Sequence, residues 1–196
     1  TLHYDRILII AAKPSSIAGH TVADVAEHTG VPPERAILDV LSASQGRVTI
    51  VGRTVSARNT RIALADPNAI AASDGFGTSQ DASQSGNLVH PRCFGAYPHL
   101  WHRFVQDESV LKPEEAIRKM TSAPAAKLGI SLRGLIAKNY FADLAVFDPK
   151  IFHDRSTHQN PYRYPAGVEW VLVNGKVVVE QGRPVGVRVG KVLKKM

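Results

Sequence analysis

The stretch that most constrains the fold lies at residues 69–75, with the sequence Ala-Ile-Ala-Ala-Ser-Asp-Gly. A short apolar run of this kind is typical of a buried parallel strand, because other elements cover both faces of such a strand. Asp74 then lies at the carboxyl end of the predicted strand, and Gly75 allows the backbone to turn sharply after it. Asp-Gly is also a common turn pair, so these seven residues alone are equally consistent with an Asp74 that only caps a turn.

The order of elements before this stretch predicts an α/β fold. The predicted elements are a strand at 6–11, helices beginning near Thr21 and Pro33, a strand at 47–51, a helix from Ser56 to about Ala65 and the strand that ends at Asp74. Thr21-Val22-Ala23-Asp24 has the pattern of a capping box, and Gly30 is expected to end that helix. Strands and helices that alternate at such short intervals predict parallel strands joined by right-handed crossovers. Function resides beyond the carboxyl ends of such strands, so Arg53 and Asp74 are predicted to face one pocket.

A long polar loop is predicted between Gly75 and Pro98, where a new helix is expected to begin. Gly, Ser, Gln and Asn dominate it as far as Asn87, and His90 and Arg92 follow. A loop of this length inside a compact domain is usually functional or disordered, and here a loop over a pocket is favoured. His90 and Arg92 are therefore candidates either for orienting a substrate or for fixing the loop.

Two histidines three residues apart, His99 and His102, have a spacing that can bind metal, but no third ligand accompanies them. They are predicted to be surface or partly packed residues. The histidines predicted to lie at the surface are His20, His28, His153 and His158.

The sequence becomes strand-like after Gly134. The expected elements of the second half are helices beginning at Pro113 and Thr121, a strand at 142–147, a hairpin at 168–180 and a last strand at 188–193. Asn174-Gly175 is the sequence signature of a type I′ turn between two strands. The chain is thus predicted to divide into an α/β part, residues 1–130, and a small all-β part, residues 131–196.

Composition narrows the function classes. The net charge is +7, but the basic residues are dispersed apart from a cluster at 191–195, so a nucleic-acid partner is not expected. Cys93 is the single cysteine, which excludes an internal disulfide. No signal peptide or membrane-length apolar run is recognisable, so a cytoplasmic protein with no membrane contact is predicted.

Several longer motifs together resemble a known family. They are Ser73-Asp74-Gly75, the run from His90 to Gly95 with Tyr97-Pro98, Glu114 to Ser122, Pro124-Ala125, Arg133 to Ile136, Ala142 to Pro149, Asn160-Pro161, Tyr164 to Gly167 and Val171 to Gly175. This set resembles the C-terminal half of the N-acyl-D-amino-acid deacylases (D-aminoacylases) of the amidohydrolase superfamily. The strand pair around Ala142 and Val171 is typical of the whole superfamily. The runs at His90 and Asn160 favour the D-aminoacylase branch.

The resemblance implies the C-terminal part of a (β/α)8 amidohydrolase barrel plus a small β-sandwich segment. It also implies a zinc-dependent hydrolase that cleaves the amide bond of N-acyl-D-amino acids. Asp74 occupies the position of the family's catalytic acid, which accepts a proton from the attacking water and passes it to the leaving amine, and it is a possible metal ligand. Arg53, His90 and Arg92 are the predicted substrate-binding residues, with an exposed loop arginine as the alternative for Arg53.

The sequence also departs from the family. No His-x-His pair is present, and Cys93 does not correspond to the family's metal-binding cysteine. Gly52-Arg53-Thr54-Val55 replaces an aromatic and Ser/Met-rich motif, which leaves the substrate preference open. A whole barrel needs about 200 residues or more, so this chain is predicted to be a C-terminal portion whose partner is the missing N-terminal half. Most zinc ligands would lie in that half, and the isolated chain would be inactive.

Two other functions remain open at this stage. One is another amidohydrolase acting on cyclic amides, similar to dihydroorotases or hydantoinases, which share the strands of the β segment. The other is a non-catalytic truncated fragment that acts only by association with a complementary chain.

Overall fold

A computed structural model of the chain describes residues 3–85 and 87–193. Its α-helices are α1 (Val22–Thr29), α2 (Pro33–Ala43), α3 (Ala57–Ala65), α4 (Arg92–His99), α5 (Pro113–Met120) and α6 (Ser122–Leu128), with a π-helix at Leu100–Asp107 and 3-10 turns at Tyr4–Arg6, Ser15–Ile17 and Gln80–Ser85. Its strands are β1 (Ile7–Ala11), β2 (Thr49–Gly52), β3 (Leu144–Phe147), β4 (Val168–Val173), β5 (Lys176–Glu180) and β6 (Arg183–Pro184). The fold is α/β, with antiparallel sheets.

The chain forms two compact units. The first comprises the described residues of 1–56, 75–94 and 156–163, and the second those of 57–74, 95–155 and 164–196. Both units are assembled from separate stretches of the chain. The predicted division at residue 130, into a barrel part and a β part, stays a prediction.

In the first unit, β1 pairs with β2 in antiparallel register, with Leu8 opposite Val51. The expectation of parallel strands is therefore wrong for this pair. Two helices lie between β1 and β2, where a parallel crossover needs one. An even number of helices returns the chain to the end of the sheet at which β1 finished, so β2 runs the opposite way.

Local signals in the first unit are confirmed. Thr21 caps α1 in a reciprocal capping box: its Oγ1 accepts from the Asp24 amide at 3.1 Å, and Asp24 Oδ2 accepts from the Thr21 amide at 2.7 Å. Gly30 ends the helix with a left-handed φ of 69°. Ile9, 1% exposed, forms a small core with Ala12 and Val22.

The predicted strand at residues 69–74, in the second unit, does not form. Ile70 is 41% exposed, so the two-sided burial that the apolar run suggested is absent. A strand needs hydrogen-bonded neighbours, and in the described residues β1 pairs only with β2, while the second sheet contains only β3 to β6.

Pro98 does not open a helix. It lies buried inside α4, which begins six residues earlier at Arg92 and continues directly into the π-helix. Trp101 and Phe104 of the π-helix are each 6% exposed and pack in a core with Phe152. The indole N–H of Trp101 donates to the Pro149 carbonyl at 3.1 Å, which satisfies its one polar group.

The second half of the chain forms one antiparallel sheet in the order β3-β4-β5-β6. The turn between β4 and β5 has φ of 50° at Asn174 and 76° at Gly175, which confirms the type I′ prediction. Residues 188–193 form no strand; Asn174 Nδ2 instead donates to the carbonyl of Val189 at 2.8 Å. No helix in the described residues has both the length and the apolar character to span a bilayer.

Candidate functional site

The predicted catalytic acid, Asp74, lies in an unusual backbone conformation. Its φ is +47°, in the left-handed region that aspartate tolerates better than most residues but that glycine favours. The side chain is classed as exposed. A non-glycine residue held at positive φ is a reason to look for a function, because the surrounding contacts must maintain it.

Gly75 opens the long loop of the first unit and packs directly on the start of α4. A Cβ at this position would lie 3.1 Å from the Cys93 Cα and 3.3 Å from the Arg92 carbonyl oxygen. The absence of a side chain therefore permits a close approach of two backbones, and the φ of Gly75 itself is not positive. This contact places the beginning of the loop against the turn that carries Arg92.

His90 fixes the beginning of α4. Its ring Nδ1 accepts a hydrogen bond from the Arg92 amide at 3.1 Å, and its carbonyl accepts one from the Cys93 amide at 3.0 Å. When Nδ1 accepts, the proton of a neutral imidazole is on Nε2. The loop-fixing role considered for His90 is thus supported by geometry, and the Nε2–H is left to make a different contact.

His158 was predicted to be an undistinguished surface residue, and the structure places it beside His90. The two rings meet edge to face at 5.2 Å between centroids. Burial lowers the pKa of His158, and the positive charge of Arg53 lowers it further. Arg53 follows β2 directly, as predicted, is exposed, and its amide donates to the Arg6 carbonyl at 3.0 Å.

The first unit therefore brings together three predicted substrate-binding residues, Arg53, His90 and Arg92, and adds His158. The signal that could have identified His158 is its position two residues before Asn160-Pro161, a pair already included in the family motifs. Asp74 belongs to the second unit, and a common pocket for Asp74 and these residues stays a prediction.

Tyr162 ties the stretch around His158 to the long loop. Its hydroxyl donates to the Asn87 carbonyl at 2.9 Å, and its own carbonyl accepts from Gln80 Nε2 at 3.0 Å. Its ring meets Phe94 edge to face at 5.9 Å. Burial raises the pKa of the Tyr162 hydroxyl, so it remains a donor. The described residues of the loop at 75–94 are thus attached to the stretch 156–163 within the first unit.

A separate cavity of about 220 Å³ in the first unit is not a catalytic candidate. Its lining residues are all apolar: Ile7, Ile9, Val22, Val25, Ala36, Ile37, Val40, Leu41, Val48 and Ile50. A ligand site needs a few convergent polar groups to orient its ligand, and this cavity supplies none from those side chains.

Across residues 3–85 and 87–193, no group of three or more His, Cys, Asp or Glu side chains is arranged to hold a metal ion. His99 instead contacts Asp154, with Nδ1 to Oδ2 at 3.2 Å, and His102 contacts Asp107, with Nδ1 to Oδ2 at 3.5 Å. Their side chains are 46% and 45% exposed, as predicted for partly packed residues. The described residues therefore do not fit a complete zinc site.

Comparison with known proteins gives a consistent result. The profile of the amidohydrolase family matches residues 15–179. A D-aminoacylase of Alcaligenes xylosoxydans xylosoxydans is 38% identical over 104 residues, which are 53% of this chain and 22% of that protein. An N-acyl-D-glutamate deacylase of the same organism is 39% identical over 106 residues, 54% of this chain and 22% of the relative. A dihydroorotase of Lactobacillus johnsonii is 32% identical over 100 residues, 44% of this chain and 23% of that protein.

Solved structures extend the similarity along the chain. A crystal structure of D-aminoacylase superposes with a TM-score of 0.79 at 27% identity, covering 93% of this chain and 36% of that one. A second similar structure is the N-acyl-D-glutamate deacylase of Bordetella bronchiseptica, solved with zinc and a phosphonate inhibitor. It superposes with a TM-score of 0.77 at 27% identity, covering 92% of this chain and 37% of that one. The matched region thus spans between a fifth and two fifths of each relative's length.

Proposed function

This chain belongs to the amidohydrolase family, and on that premise we propose that it is the C-terminal part of an enzyme that hydrolyses N-acyl-D-amino acids. The proposed products are a carboxylate and a free D-amino acid. In the proposed whole enzyme, residues 1–130 complete a (β/α)8 barrel and residues 131–196 belong to a β-sandwich. The proposed cofactor is zinc, held mainly by the remainder of the enzyme, with Asp74 as a possible ligand. The proposed compartment is the cytoplasm.

Asp74 is the proposed catalytic residue. Hydrolysis forms a bond from a water oxygen to the acyl carbon and breaks the bond from that carbon to nitrogen. The Asp74 carboxylate accepts the proton of the attacking water and then delivers it to the departing amine, so protons balance within one turnover. The observation that carries this assignment is the left-handed backbone of Asp74, directly before a glycine that packs closely against the backbone of Arg92 and Cys93.

Arg53, His90 and Arg92 are the proposed substrate-binding residues, with His158 added from the structure. An N-acyl amino acid carries a free carboxylate, and guanidinium groups bind carboxylates through two parallel hydrogen bonds. Arg53 lies close enough to His158 to lower its pKa, which favours a neutral imidazole beside a permanent cation. Such a pair can bind an anion and still donate a neutral hydrogen bond.

The test is a substrate panel on the enzyme completed with the sequence upstream of Thr1. We expect metal-dependent release of free amino acid from N-acetyl-D-amino acids and little from their L enantiomers. Equal rates on both enantiomers, or no hydrolysis of either, would refute the proposal.

A second candidate is hydrolysis of a cyclic amide, which the similarity to a dihydroorotase favours. Ring opening of dihydroorotate or of a hydantoin in the same panel, without release of amino acid from the acyclic substrates, would establish that activity. A third candidate is a non-catalytic fragment, which the short matched share of each relative favours. If the chain is a non-catalytic fragment, joining it to the upstream sequence should produce no hydrolysis of any substrate in the panel.

A further inference from the structure

The motif from Glu114 to Ser122 has no role in the proposed chemistry, yet it contains the most deeply buried charged residue described. Lys119 lies in the last turn of α5 and is 1% exposed. A buried ammonium is costly unless every proton finds an acceptor. Its location and its acceptors therefore indicate what the fold uses it for.

All three protons of the Lys119 ammonium have acceptors within reach. Nζ donates to the main-chain carbonyls of Asp66 and of Ala69, the latter at 2.9 Å, and Glu115 Oε1 lies 3.4 Å away. The backbone carbonyl of Lys119 also accepts from the Ala71 amide at 3.0 Å. One residue thus contacts three main-chain groups within six positions of the chain.

A neighbouring arginine strengthens the same attachment. Arg118 Nη2 donates to the Pro67 carbonyl at 2.7 Å. Its guanidinium also binds Glu115 through two bonds, Nε to Oε2 at 2.7 Å and Nη2 to Oε1 at 2.8 Å. The last turn of α5 therefore binds the carbonyls of three residues in the segment 66–69 through charged donors, which make stronger hydrogen bonds than neutral ones.

This attachment holds residues 66–71, which form no strand, in place of sheet pairing. Asp74 follows Ala71 by three positions. A displacement of about 1 Å at a reacting group can cost roughly a hundredfold in rate, so a catalytic carboxylate needs a fixed backbone. Lys119 and Arg118 supply that fixation from a helix.

We propose that Lys119 is a positioning residue, which together with Arg118 fixes the segment 66–71 and thereby the orientation of the Asp74 carboxylate. The inference deepens the proposed function and rests on it for the identity of Asp74 as the catalytic acid. The attachment of the segment itself does not depend on that function.

Two variants and one control test the proposal in the completed enzyme. Lys119→Met keeps the length of the side chain and removes its three donors. Arg118→Met removes the donor to the Pro67 carbonyl together with the two bonds to Glu115, leaves the bonds from Lys119 to the segment in place, and serves if the first variant does not fold. Lys127→Met, an exposed lysine on α6, removes the same charge without touching the segment.

The first readout is hydrogen exchange, measured by mass spectrometry on peptides that cover 66–75. We expect exchange in this peptide to accelerate about tenfold or more in Lys119→Met and less in Arg118→Met, while peptides from β4 and β5 keep their protection. Lys127→Met leaves both regions unchanged. Unchanged exchange at 66–75 in Lys119→Met, or in Arg118→Met where the first variant does not fold, would overturn the proposal.

The second readout separates positioning from simple structural support. Per mole of folded enzyme, Lys119→Met is expected to lower kcat about tenfold or more and to change KM less than about threefold, because substrate binding is assigned to other residues. An unchanged kcat per folded molecule would refute the positioning role even if exchange accelerates. If the unmodified enzyme hydrolyses no N-acyl-D-amino acid, the proposed function fails, and hydrogen exchange then decides separately whether the attachment exists.

Discussion

The segment 66–71 and the loop 75–94 are separated by three residues of the chain, and their described residues form no strand, but different interactions hold them in place. The segment is attached by charged side chains of α5, whose ammonium and guanidinium groups donate to its carbonyls. The loop is attached by rings, with Tyr162 on Phe94 and His158 on His90. Backbone without a sheet can therefore be fixed either by a few charged donors or by aromatic packing and neutral hydrogen bonds. The two solutions should respond differently to mutation and to pH.

The largest difference is expected from removing the buried charge. Lys119→Met leaves the carbonyls of Asp66 and Ala69 without their charged donor and removes the cation 3.4 Å from Glu115. We expect the free energy of unfolding to fall by about 2–4 kcal/mol. Denaturant unfolding followed by circular dichroism measures this change. Lys127→Met, on the surface of α6, is expected to stay within about 0.5 kcal/mol of the unmodified protein. If Lys119→Met also lost less than about 0.5 kcal/mol of unfolding free energy, the charged attachment would contribute little to stability.

The close approach in the loop gives the next effect. Gly75→Ala places a Cβ 3.1 Å from the Cys93 Cα, and moving the backbone to accommodate it should cost about 1–3 kcal/mol. Gly77 is a matched control, because a Cβ there would meet nothing within 4 Å. Gly77→Ala should be neutral or slightly stabilising. Equal thermal shifts for the two variants would contradict the packing described for Gly75.

A smaller effect is expected from one neutral hydrogen bond of the loop. Tyr162→Phe keeps the ring on Phe94 and removes the hydroxyl that donates to the Asn87 carbonyl at 2.9 Å. The expected loss is about 1 kcal/mol of unfolding free energy. Tyr97→Phe, at a position 41% exposed, should change it by less than about 0.5 kcal/mol. Chemical denaturation of both variants separates the loss of the Tyr162–Asn87 hydrogen bond from the effect of removing a tyrosine hydroxyl at an exposed position.

The smallest expected difference between the segment and the loop is in how their stability depends on pH. The Arg118 guanidinium holds the pKa of Glu115 at about 2, below its ordinary 4.5. The contribution of the ionised Glu115 to folded-state stability is therefore complete above about pH 4.5 and is lost as the pH falls towards 2. The pKa of His158 is lowered from 6.5, mainly by burial. The folded state thus binds that proton less readily, and the loop loses stability as the pH falls below 6.5.

Hydrogen exchange at several pH values, corrected for its intrinsic pH dependence, measures the pH range in which each region loses protection. We expect the loop peptide to lose protection at a higher pH than the peptide covering 66–75. Glu115→Gln should abolish the acid-dependent loss in the segment, and His158→Gln the loss in the loop. Simultaneous loss of protection in both regions would contradict the separation.

Prediction from the sequence succeeded where the determining interactions are local. The capping box at Thr21 and the type I′ turn at Asn174-Gly175 depend on residues at most a few positions apart, and both form as expected. The apolar run at 69–74 was misread as a strand because strand formation depends on partners elsewhere in the chain. Period and composition of one segment carry no information about such partners.

In the candidate site, too, features set by neighbouring residues could be predicted and features set by distant contacts could not. Arg53 follows its strand, as its sequence neighbours indicated. His90 was expected inside a loop that ends at Pro98, whereas α4 begins two residues after His90, at Arg92. The contacts of His158 and of Lys119 could not be predicted, because each joins residues 50 or more positions apart in the chain. The antiparallel pairing of β1 and β2 has a different origin, because both helices between these strands were predicted and an even number of helices already implies antiparallel strands.

The most direct test of the central claim, that Asp74 is the catalytic acid of an N-acyl-D-amino-acid deacylase, is the kcat of the completed enzyme on N-acetyl-D-amino acids. Asp74→Asn keeps the size of the side chain and cannot accept a proton, so we expect kcat to fall by about 10²–10⁴-fold. Asp81→Asn, an exposed carboxylate in the 3-10 turn of the loop, should leave it within about twofold. A kcat for Asp74→Asn within tenfold of the unmodified enzyme, with Asp81→Asn equally active, would contradict the account.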